Sequence, residues 1–126
     1  MAELSALRHE EGVRLDPDRL MALYEDLGEA GAENVVSRAM DELSHRMREM
    51  QLQFRNAEIE RFCRNARSLS RVAGQVGMVS LARVAQDVAD CAGLGEQIAL
   101  AATWARLQRL SDQSLVAVGD LRDISI

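Results

Sequence analysis

The sequence contains no lysine; all fifteen of its cationic residues are arginine. Every basic site it offers is therefore a planar, permanently charged fork and never a titratable amine. Proline occurs once, at Pro17, so no later segment is barred from being helical. Aromatic residues are limited to Tyr24, Phe54, Phe62 and Trp104, and apolar bulk must come from Leu, Val, Met and Ala, a mixture that favours helices. Two cysteines and two histidines, widely separated, cannot assemble a zinc site, and no metal or other cofactor is expected. No run of about twenty apolar residues is present, so no membrane span is expected. The opening "MAELSALRHEEGVR" lacks the basic start and apolar core of a secretory signal, which makes the cytoplasm the expected compartment.

What is present is one domain's worth of chain: 126 residues, 48% of them apolar, enough for one modest core. The net charge of −5 argues against a nucleic-acid partner. The acid is uneven. Residues 1–34 carry nine carboxylates against three arginines, a local charge of −6, whereas residues 56–77 carry Arg61, Arg64, Arg67 and Arg71 against Glu58 and Glu60, a local +2.

Five helical segments are expected and no strand. Residues 1–14 read as a loosely docked arm, with Leu4 and Leu7 spaced for a short helix. In "LDPDRLMALYEDLG", Asp16 suits the N-cap, Pro17 the first helical position, and Leu15 with Leu20 a hydrophobic staple. Leu20, Leu23, Tyr24 and Leu27 share one face, and Gly28 suits the stop. The second helix is expected from Glu33 to Phe54, with a seam of Val36, Met40, Leu43, Met47, Met50 and Phe54. The third runs from Asn56, a candidate cap, to Val76, with Ile59, Phe62, Cys63, Ala66, Leu69, Ala73 and Val76 inward and Gly77 at its end. The fourth covers 79–92 with Leu81, Val84, Ala85 and Val88 inward. The fifth covers 96–118 with Leu100, Trp104, Leu107 and Val118 inward, its stripe interrupted by Ser111, Asp112, Gln113 and Ser114; a bend, or a helix overrunning the core, would account for that. Short connections make an all-α, antiparallel up-down-up-down four-helix bundle over residues 15–121, with a short additional N-terminal helix, and residues 122–126 as a tail.

Little in this pattern is catalytic. "GLGEQI" follows a helix and not a strand, which removes the context of a dinucleotide-binding turn. Cys63 and Cys91 fall on or beside apolar stripes, as buried free thiols do. Each lies 14 residues from Gly77, which puts them at similar height in a helical hairpin, yet a disulfide is not expected in the cytoplasm. His9 sits in the arm and His45 on an outward helix face, with no orienting partner evident for either. Arg64, Arg67 and Arg71 recur at i, i+3 and i+7, which places them on one face of the third helix, away from its seam. Glu60 is spaced to pair with Arg64.

Residues 66–77, "ARSLSRVAGQVG", resemble the active helix of the histidine-containing phosphotransfer (HPt) family of two-component signalling, which reads approximately A-H-x-L-K-G-x-[AS]-x-x-[LIV]-G. Ala66, Leu69, Ala73, Val76 and Gly77 match, and Gln75 is a suitable polar residue. "LDPDRLMALYEDLGE" resembles the family's opening helix and "SLARVAQDVADCAGLGE" a later stretch, so the likeness spans about residues 13–121. The departures fall on the functional positions. Arg67 stands where the family's phosphorylated histidine belongs, Ser70 where its phosphoryl-holding lysine belongs, and Arg71 where a glycine leaves room for the partner. A guanidinium, protonated at all relevant pH, cannot carry the relayed phosphate.

The resemblance thus implies a signalling adaptor that is not an enzyme. It would bind a response-regulator receiver domain or a histidine kinase through Arg64, Arg67, Ser68, Ser70, Arg71 and Gln75. Two other expectations stand beside it: a scaffolding bundle that self-associates, as a homodimer for example, with the acidic N-terminal segment pairing with the basic helix, and an active phosphotransferase using His45 or His9.

Overall fold

The computed structural model describes residues 14–124, with side chains through Ser114 and that of Val116. The expected arm, with Leu4, Leu7 and His9, lies outside the described residues apart from Arg14. The side chain of Val118 and the last two residues of the expected tail lie outside them as well. Four helices are described, α1 (Pro17–Arg55), α2 (Ile59–Gln75), α3 (Val79–Leu94) and α4 (Gln97–Ile124), and no strand. They pack on one another as an all-helical bundle around one core. None of the described helices is long and apolar enough to cross a membrane.

The start of α1 follows its sequence signals. Asp16 accepts hydrogen bonds from the N–H groups of Asp18 and Arg19 through its side chain, and Pro17 occupies the first turn. The expected gap between two helices is not there. Gly28 leaves helical geometry (φ 76°, ψ 173°), but the helix resumes at once, so Pro17–Leu27 and Glu29–Arg55 are limbs of one element broken at a single residue. Glu29, Ala30 and Ala32 are strong helix formers, and a glycine break needs no connecting loop.

The three turns share one device. Each has a residue in left-handed geometry, spanned by a hydrogen bond that closes over six residues: Met78 N–H to Ala73 O (2.9 Å) across Gly77, Glu96 N–H to Cys91 O (3.2 Å) across Gly95, and Glu58 N–H to Gln53 O (2.8 Å) across Ala57. This is the helix-ending arrangement that favours glycine, and the first turn makes it with an alanine at φ 58°. Asn56, expected to cap α2, instead ends α1, its N–H bonded to Leu52 O; the N-cap of α2 is Glu58, which makes no side-chain capping bond.

Most of the seam residues read from the sequence form the core, with Met40, Phe54 and Ile59 partly buried against it. Leu43, Met50, Phe62, Leu69, Leu81, Val84, Val88 and Leu107 are all but fully buried, each contributing about 1.5–3 kcal/mol of transfer free energy. Three of the chain's four aromatics meet where α1 ends: Phe62 stands edge-on to Trp104 at 5.1 Å, and Phe54 lies 5.4 Å from Phe62 and 6.0 Å from Trp104. Ser70 Oγ donates to Ala82 O (2.7 Å) and Cys63 Sγ to Ala89 O (3.3 Å), so moving along α2 from Cys63 to Ser70 moves the partner back along α3 from Ala89 to Ala82. Both cysteines are free; Cys63 is buried and Cys91 half-buried. α4 runs through residues 111–114 without interruption; Ser111 and Ser114 are buried on the packed face, while Asp112 is exposed. The helical backbone continues through residues 122–124.

The first limb of α1 is only partly covered by described residues. Leu20 and Leu23 pack on the core, while Met21 (58%), Tyr24 (37%) and Leu27 (50%) are exposed. The apolar face expected from Leu20, Leu23, Tyr24 and Leu27 is thus divided: its first half is engaged, its second half is not.

Candidate functional site

The candidate surface is built on α2, whose two faces are chemically opposite. Phe62, Ala66, Leu69 and Ala73 are fully buried on one, and Arg64, Arg67, Arg71 and Gln75 are exposed on the other. The six residues singled out in the sequence do not lie together. Arg64 and half-buried Ser68 line a groove of about 240 Å³ between α1 and α2, with Arg46, Glu49, Gln53, Arg61 and Asn65 as its other walls. Arg67 and Arg71 stand outside it. Ser70 belongs to the packing between α2 and α3, its hydroxyl committed to Ala82. Gln75 is exposed at the end of the helix, where its carbonyl accepts from Arg19 Nε (2.9 Å).

The side chains of Arg64, Arg67 and Arg71 make no hydrogen bond or ion pair with another described residue. The expected Glu60–Arg64 pair is not formed; Arg64 lines the groove on the α1 side instead, and Arg61 pairs with Glu58 (3.5 Å). His45, for which no orienting partner was expected, has one: its Nε2 lies 2.8 Å from Glu49 Oε1, one turn on, with both side chains well exposed.

The polar clasp that holds α1 to α2 was not singled out in the sequence. Arg46 donates from Nε and Nη2 to Glu42 Oε1 (3.1 and 2.9 Å) and from Nη1 to Asn65 Oδ1 (2.9 Å). Asn65 Nδ2 donates to Gln53 Oε1 (3.3 Å). Asn65 is buried, and both ends of its amide are thereby satisfied. A signal was available, since Asn65 lies one turn before Leu69 on the edge of the apolar stripe, where a polar side chain needs a partner.

The other end of α2 is fixed by the chain preceding α1. Asp16 N–H donates to Gly77 O (2.7 Å), Leu15 bridges to Met78, and Val79 and Ser80 donate to Arg14 O (3.0 and 3.4 Å). α2 is therefore anchored at both ends while its arginine face stays open. Chemically that face can hold anions. It has no nucleophile paired with a base, and no metal-binding group of His, Cys, Asp or Glu occurs among the described residues. No family model matches the chain, and neither a curated protein nor a solved structure matches it significantly.

Proposed function

We propose that this chain is a non-relaying, HPt-like adaptor of two-component signalling, binding a receiver domain or histidine kinase through the exposed arginine face of α2. The observation that carries the reading is the state of that face: Arg64, Arg67 and Arg71 are exposed and unpaired among the described residues, in a chain with more carboxylates than cations. Unpaired guanidiniums on an anchored helix suit a partner presenting clustered carboxylates or an aspartyl phosphate, which they can grip bidentately. The reading takes the bundle as up-down-up-down, which the short turns and the Cys63–Ala89 and Ser70–Ala82 bonds support. Of the six proposed contact residues, Ser70 acts from within, holding α2 against α3, while Arg64, Arg67, Ser68, Arg71 and Gln75 supply the surface.

The test is titration of the chain with receiver domains from the same cell, with and without a phosphoryl mimic. Saturable binding that weakens on Arg67→Glu supports the adaptor; binding to no receiver and no kinase refutes it. Self-association is the second reading, and the exposed Met21, Tyr24 and Leu27 favour it over a bare monomer. Sedimentation of wild type and of Leu27→Ser separates the two, since a dimer held by that stripe would dissociate in the variant.

A further inference from the structure

Outside α2, the described cations converge in one other place. A cleft of about 520 Å³ is lined by Arg14, from the segment before α1, by Ser80, Arg83 and Val84 of α3, and by Arg106 of α4. Its volume is that of a small-ligand site. Among the described residues its walls hold three arginines and no carboxylate, in a chain of net charge −5. None of the three is in an ion pair with a described residue, although Asp87 stands one turn beyond Arg83. Like charges gathered on one cavity repel, and a bound anion relieves that repulsion.

One wall of the cleft is tied to another by hydrogen bonds. Arg14 N–H donates to Ser80 Oγ (2.8 Å), and Arg14 O accepts from Val79 and Ser80 N–H, so Arg14 is fixed to the start of α3 while its side chain remains exposed. Ser80 Oγ accepts one hydrogen bond there and keeps its own hydrogen to donate. Ser80 is the second residue of a 16-residue helix, whose positive end adds to the field of the arginines.

We infer that the cleft of Arg14, Ser80, Arg83 and Arg106 binds a phosphate-class oxyanion, either free or carried as a phosphoryl group on a larger molecule. The arginines would hold the oxygens through charge-assisted bonds and Ser80 would donate one neutral bond. No residue of the α2 face takes part, so this site stands or falls independently of the adaptor reading.

The experiment is a nuclear magnetic resonance titration of the full chain with inorganic phosphate at constant ionic strength, following the Nε–H signals of Arg83 and Arg106 and the amide of Ser80. Saturable shifts are expected, weakened about tenfold for each arginine removed in Arg83→Gln, Arg106→Gln and the double variant. Both side chains are exposed, and the single variants serve should the double variant not fold. Binding of a phosphoserine peptide more tightly than phosphate would place the phosphoryl group on a protein; equal binding would make the ligand a free anion. Shifts no larger than chloride produces, or shifts unchanged in the variants, would overturn the site.

Discussion

Gly77 and Ala57 occupy the same backbone geometry, and only one of them suits it. At Gly77 (φ 76°) a Cβ would stand 2.9 Å from the Asp16 carbonyl oxygen and 3.3 Å from Arg19 Cβ, where the segment before α1 meets the turn between α2 and α3. Gly77→Ala therefore combines left-handed strain of about 1–2 kcal/mol with a clash against backbone. It should lower the urea midpoint by more than that strain alone would. Ala57 already bears the strain, so Ala57→Gly should stabilise the chain, by about 0.5–1 kcal/mol once the extra freedom of glycine in the unfolded state is deducted. A rise of a few degrees in Tm would register it; a fall would mean that the alanine methyl does more in packing than the strain costs. Asn65 is the residue whose loss should be felt between helices. Asn65→Ala removes the acceptor of Arg46 and the donor to Gln53, and is expected to cost about 1–3 kcal/mol in denaturant unfolding.

At the scale of the element, α2 is where packing and exposed charge are separated by the helical period alone. Positions 62, 66, 69 and 73 face inward and positions 64, 67 and 71 outward, so surface chemistry can change without disturbing the core. Arg67→Glu should accordingly leave the unfolding midpoint within about 0.5 kcal/mol of wild type, while weakening receiver binding roughly tenfold to a hundredfold. A loss of stability of several kcal/mol would show that the face is structural. His45, on α1, tests the catalytic alternative. Its bond to Glu49 orients the ring, yet the adaptor reading gives it no phosphate to carry. Incubation with a phosphorylated kinase and radiolabel should leave the chain unlabelled; label that appears in wild type and disappears in His45→Ala would overturn that reading.

In the whole molecule, the scarce aromatics are spent on one junction. Phe54 from α1, Phe62 from α2 and Trp104 from α4 meet at one end of the bundle, while the segment before α1 is bonded to the turn between α2 and α3. Phe62→Ala alone should cost about 3–5 kcal/mol. A double-mutant cycle of Phe62→Ala with Trp104→Ala should show a coupling of about 0.5–1.5 kcal/mol, the worth of an edge-on ring pair beyond its buried area. Additive costs would mean that the two rings report separate parts of the core.

The sequence by itself determined the inward faces of α2 and α3, because helical periodicity assigns inward and outward positions without reference to any neighbour; the Asp16 cap and the Gly77 stop were legible too, whereas the burial of Asn65, Ser111 and Ser114 and the exposure of Tyr24 and Leu27 were not. It also announced the arginine face, for the same reason. Tertiary structure decided what each outward position meets. Ser70 turned out to serve the contact between α2 and α3, Arg64 and Ser68 the groove with α1, and Gln75 the bond to Arg19, while Tyr24 and Leu27 stayed exposed among the described residues. Neither the clasp of Arg46, Asn65 and Gln53 nor the cleft of Arg14, Arg83 and Arg106 could be read along the chain. Those of their members that meet from different elements lie from 12 to 92 residues apart, and only the packing of separate elements brings such positions within reach of one another.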